Sequence, residues 1–150
     1  MLCAFLPVFL FLSSCGCPCR QWELSTIHTA CPQMTYAKAV LPALNTFNGL
    51  QGELLLIGTK LQLYLNALSL QIPYLPNDEM HAGVTIAIED QEYYFIADRF
   101  EGGQKVLLSD DALQIIINAL LEGYFIDISI GRYETTLSPD NFACVYYKMT

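Results

Sequence analysis

The chain has 150 residues, 53% of them hydrophobic, and a formal net charge of −8. That balance repels nucleic-acid phosphates and anionic lipid headgroups, and the apolar fraction excludes a disordered chain. Its length fits one folded domain with a sizeable core.

Residues 2–12 are almost unbroken apolar sequence, with no Lys or Arg, and run into Leu12-Ser13-Ser14-Cys15. A stretch this short engages a translocon but does not span a bilayer. The Leu-Ser-Ser-Cys run resembles the lipobox of bacterial lipoproteins. The resemblance implies that residues 1–14 are a signal peptide and that Cys15 becomes the lipidated, palmitate-carrying first residue of the mature protein. It places the protein in the bacterial cell envelope, attached to the membrane through its lipid. Gly16 stands where the family's inner-membrane retention signal has aspartate, which implies the outer membrane, facing the periplasm.

Cys17, Cys19, Cys31 and Cys144 remain as disulfide candidates, with three pairings open. A Cys17–Cys19 ring is too small to close without strain. A bridge to Cys144 spans more than a hundred residues and would stabilise by about 4–5 kcal/mol in the chain-entropy model. Crosslinking to another envelope protein is the alternative use of these thiols. No metal ligation is expected, because Cys17-Pro18-Cys19 lacks the CxxC spacing of common zinc sites.

Residues 15–46 read as a Cys-rich tether, with Trp22 and a lone His28, leading into a short helix from Tyr36 to Leu44 broken at Pro42. A single domain is expected over 47–150. Leu61, Leu63 and Leu65 alternate with polar residues, as in a half-buried strand, and Leu68, Leu70 and Ile72 resume the alternation after a one-residue slip. A helix over 53–70 fits the leucines too, but Gly58-Thr59 punctuates it and favours strands. Pro73 and Pro76 then force a loop that carries Asp78, Glu79 and His81.

Val84, Ile86 and Ile88 alternate, Asp90-Gln91 makes a turn, and Tyr93 to Ala97 supply a second strand, so a hairpin is expected. Tyr94, Ile96 and Asp98 share one face of it and Tyr93, Phe95 and Ala97 the other; both faces are aromatic, which marks either a strand buried on two sides or an exposed tyrosine available for ligand stacking, with Tyr93 and Tyr94 as the candidates. Ser109 caps a helix over about 109–122, with Asp110 and Asp111 in its first turn and an apolar stripe of Leu113, Ile116, Ile117, Leu120 and Leu121. Strands over 124–130 and 142–147 complete the pattern, the latter with Cys144 on the face of Phe142 and Tyr146.

This order predicts an α+β domain: a mainly antiparallel sheet with one main amphipathic helix packed on it. The alternative is a small barrel similar in element order to oligonucleotide/oligosaccharide-binding folds.

No GxSxG, HExxH, phosphate-loop or CxxC motif is present, and there are two histidines. Asp78, Glu79 and His81 are the one place where a histidine adjoins carboxylates, and they lack a third ligand or a nucleophile at a defined spacing. No catalytic residue and no cofactor are assigned, and catalysis ranks third. The first expectation is a noncatalytic lipoprotein that binds an envelope protein or has a structural role. The second is a small-ligand or glycan-binding barrel. Nucleic acid is not expected as a partner.

Overall fold

A computed structural model describes residues 20–27 and 36–150. The signal segment 1–14, Cys15, Cys17, Cys19, Cys31 and His28 lie outside the described residues.

The strands are β1 (Glu23–Ile27), β2 (Tyr36–Leu41), β3 (Leu50–Ile57), β4 (Lys60–Ala67), β5 (His81–Ile88), β6 (Gln91–Arg99), β7 (Lys105–Leu107), β8 (Ile126–Ile130) and β9 (Tyr133–Leu137). They form one sheet in the order β1-β2-β3-β4-β7-β6-β5-β8-β9, with every neighbouring pair antiparallel. Two helices, α1 (Asp110–Leu121) and α2 (Phe142–Met149), complete the described chain. The fold is α+β, dominated by an antiparallel sheet.

Period-two patterning builds the inner face. Ala39, Leu54 and Leu63 follow one another across β2, β3 and β4, and Ile86 faces Ile128 across β5 and β8, all buried. Against this core α1 buries Leu113, Ile116, Ile117 and Leu120. Ser109 caps the helix by accepting from the Ala112 N–H at 3.4 Å. Gly123, at φ 91°, ends it, and the Tyr124 N–H returns to the Ala119 carbonyl at 2.9 Å. Only glycine takes that left-handed turn without strain.

Several expectations need correction. Residues 36–41 are a strand, not a broken helix: Ala37, Ala39 and Leu41 are buried in alternation, and Pro42 ends the strand instead of kinking a helix. Together with β1 this takes part of the supposed tether into the sheet, and Trp22 is 2% exposed. Residues 142–149 are a helix, not a strand. Phe142, Val145, Tyr146 and Met149 sit at helical spacing and pack on the core, while Cys144 is exposed on the other side. Residues 68–72 leave the sheet, with Leu68 and Leu70 exposed. The sheet is also open, so the barrel is not formed. Among the described residues β9 meets the β3 side at one bridge, Gly49 with Glu134, where the Glu134 N–H donates to Asn48 O at 2.9 Å.

The sheet consists of two four-stranded halves. β7 joins them, pairing with Tyr64–Asn66 of β4 and only Asp98 and Arg99 of β6. On the opposite side Arg20 ties them: Nε donates to Pro42 O, and the two terminal nitrogens donate to Thr136 O and Thr135 Oγ1.

Candidate functional site

The loop before β5 is built from turns. Leu75-Pro76-Asn77-Asp78 closes with the Asp78 N–H on Leu75 O at 2.9 Å, proline second and Asn77 third at φ 65°. These are the residues a type II turn asks for. Asp78 then begins a second turn, whose His81 opens β5 directly opposite Asp98 of β6.

That placement puts His81 between two carboxylates. Its Nδ1 lies 2.7 Å from Asp78 Oδ2 and its Nε2 lies 3.4 Å from Asp98 Oδ1. The Asp78 contact is a hydrogen bond, and the Asp98 contact is a longer charge pair. Arg99, the next residue on β6, fastens the same loop through Nε to Ile72 O at 2.9 Å and Nη1 to Glu79 O at 3.1 Å. Its guanidinium lies 5.5 Å from the centre of the Tyr74 ring. Met80 and Phe100, both exposed, join His81 and Asp98 in lining a shallow depression of about 390 Å³.

From this depression an apolar row continues along the sheet face turned away from the helices. Ile96 and Tyr94 alternate outward from β6, 55% and 63% exposed. A Cβ on Gly83 of β5 would collide with the Tyr94 ring, so the missing side chain is what lets the tyrosine lie across the sheet.

The structure therefore joins Asp78 and His81, as their spacing suggests, and engages Glu79 through its carbonyl. It separates Tyr93 from Tyr94. Tyr93 packs against the core face and bonds Gln91, whereas Tyr94 is on the solvent side, so of the two readings of β6 burial on both sides does not hold and an exposed tyrosine does. Asp98, Arg99, Met80 and Phe100 were missed as site residues. The hairpin turns at Glu89-Asp90, one residue earlier than the sequence suggests, because Glu89 adopts φ 52° and glutamate seldom marks a left-handed position. Counting back from the correct turn places Asp98 opposite His81.

A second polar cluster lies on the same outer surface of β2–β4. The buried Glu53 receives Lys38 at 3.0 Å, Lys105 at 3.5 Å and the Asn66 amide at 3.1 Å, and the Lys105 ammonium lies 4.2 Å from the centre of the Tyr64 ring. Burial opposes ionisation of Glu53, but the Lys38 hydrogen bond and the charges of Lys105 and Lys38 outweigh it and hold the carboxyl below its usual range.

With Nδ1 bonded to Asp78, Nε2 facing Asp98 and no hydroxyl or thiol among its hydrogen-bond partners, His81 is arranged as a clamp between the loop and β6. Among the described residues no group of three or more His, Cys, Asp or Glu is placed to hold a metal ion. No family model, curated protein or solved structure matches this chain.

Proposed function

We propose that the protein is a noncatalytic lipoprotein of the bacterial envelope, anchored through Cys15 in the outer membrane, whose folded domain binds a partner protein through the outer face of β5 and β6. The lipobox supports the anchor. The binding reading is carried by one observation: Tyr94, Ile96, Met80 and Phe100 are exposed beside a loop fastened by His81 and Arg99. An apolar surface rimmed by polar groups and rigidly backed is what protein partners use. A ligand-binding barrel is less well supported, since Tyr93 and Tyr94 point to opposite faces and cannot share a pocket.

Labelled palmitate is expected to enter the wild-type protein and not Cys15→Ala; equal labelling of both would end the lipoprotein reading. A photocrosslinking residue at position 96, in intact cells, is expected to give discrete protein adducts that the same residue at the exposed Lys60 does not. Adducts equal at both positions, or at neither, would contradict binding through this face. Cys144, exposed on α2, is the described end of the proposed bridge to Cys17, Cys19 or Cys31, and nonreducing peptide mapping is expected to join it to one of them.

A further inference from the structure

The β5–β6 hairpin closes through two residues, with Ile88 paired to Gln91. In such a hairpin the pair beside the turn exchanges both backbone hydrogen bonds and the pattern alternates from there. Gln91, Tyr93, Phe95 and Ala97 thus bond to β5, while the N–H and C=O of Glu92, Tyr94 and Ile96 point the other way. The neighbouring bonds follow the same phase: Arg99 N–H donates to Met80 O at 2.7 Å, and the His81 carbonyl accepts from Leu75, not from β6. On that other side β7 takes only Asp98 and Arg99. Among the described residues no strand pairs with this edge from Gln91 to Ala97.

The edge has a charge pattern. Glu89, Asp90 and Glu92 stand at one end and Asp98 and Glu101 at the other, with Tyr94 and Ile96 between them. Arg99, the nearest cation in sequence, is committed to Ile72 and Glu79 carbonyls. A second copy is a poor match. With Tyr94 opposite Tyr94 in an antiparallel pair Asp90 is brought up to Asp98, and with Phe95 opposite Phe95 Glu92 is, where Leu107 of β7 already occupies the ladder. Like charges directly across a ladder destabilise it, and inhibit edge-to-edge self-pairing.

Resting on the partner-binding reading above, we propose that the edge of β6 from Glu92 to Ala97 accepts an extended segment of the partner as an added antiparallel strand, with apolar side chains beside Tyr94 and Ile96 and lysine or arginine beside Glu92. Backbone hydrogen bonds supply attachment and the alternate side chains supply selectivity, as in other strand additions.

The test is a titration of isotope-labelled protein with the capped pentapeptide Val-Thr-Val-Thr-Lys, which spans only the free positions from Ile96 back to Glu92, followed by amide NMR shifts. Saturable shifts are expected at Glu92, Tyr94 and Ile96, with at least about tenfold weaker binding of the same peptide ended by glutamate in place of lysine. Ile96→Pro removes an N–H that faces the open edge and no bond to β5, so the variant is expected to fold and lose the peptide. Glu92→Lys, which leaves the backbone intact, is expected to reverse the preference between the two peptides. No shift at millimolar lysine peptide, equal affinity for both peptides, or shifts on another face would each overturn the proposal. So would a dimer in sedimentation that Ile96→Pro abolishes, which would make a second copy the occupant. Crosslinks from position 96 without peptide-induced shifts would reject strand addition alone and leave partner binding through the face standing.

Discussion

The indole N–H of Trp22 donates to the carbonyl of Ser138 at 2.9 Å, joining residues 116 positions apart. The ring packs edge-on against Phe142, centroids 5.3 Å apart, and Asn141 Nδ2 returns a hydrogen bond to Trp22 O at 3.2 Å. Trp22→Ala would empty this site and strand the Ser138 carbonyl, at a cost of about 3–5 kcal/mol. Urea denaturation measures it, and loss under about 1 kcal/mol would show that the ring is dispensable. As the chain's one tryptophan, Trp22 also makes its emission a direct report on this junction.

Arg20 spans the β2 end and β9 with three donors. A lysine keeps the charge but has no planar fork to reach three separated oxygens. Arg20→Lys is therefore expected to be destabilised nearly as much as Arg20→Ala, both by about 1–3 kcal/mol. Full stability of the lysine variant in thermal melts would mean that charge alone matters there.

Ile117, in the middle of the buried stripe of α1, is 5% exposed. Ile117→Asp places an unpaired carboxylate in the core, costing several kcal/mol against a total stability of about 5–15 kcal/mol. The variant is expected to be unfolded by circular dichroism, while Gln114→Asp on the exposed side stays folded. A normal melt for Ile117→Asp would place the stripe in solvent.

Glu53 gives the domain a pH dependence. Because its folded-state pKa is depressed, the ionised carboxylate contributes stability that is fully present above the unfolded pKa and is lost as pH falls through the folded one. Glu53→Gln is expected to be less stable than wild type at neutral pH, with the gap closing as pH drops below the carboxylate range. A gap that is constant with pH would mean that the ion pairs with Lys38 and Lys105 do not stabilise the fold.

Where one physical signal dominated, the sequence was readable. The α1 stripe, its Ser109 cap and Gly123 stop, and the alternation in β4, β5 and β6 all appear in the structure. Misreadings arose where two periods fit the same residues. Phe142, Cys144 and Tyr146 alternate like a strand, yet Phe142, Val145, Tyr146 and Met149 make the helical stripe that tertiary packing selected. In β2 the small Ala37 and Ala39 gave little hydrophobic contrast, and helix propensity of alanine masked a strand held by β1 and β3. The pairing of Asp78 with His81 was visible as proximity in sequence. The pairing of His81 with Asp98 was not, because it depends on a register fixed by an unusual turn at Glu89.

The bond between Trp22 and Ser138 also sets an order of events in time. A chain emerging N-terminus first presents Trp22 long before the residues that house it, and β2, β3 and β4 pair locally meanwhile. The entropy cost of closing a loop grows only slowly with its length, so the delay is one of availability more than of energy. Until residues 138–142 arrive, the indole lacks its Ser138 and Phe142 partners, and the N-terminal end of β1 has only the Arg20 bonds to Thr135 and Thr136 to reach the far half of the sheet. A chain stopped before α2 is therefore expected to leave this aromatic site open to proteolysis.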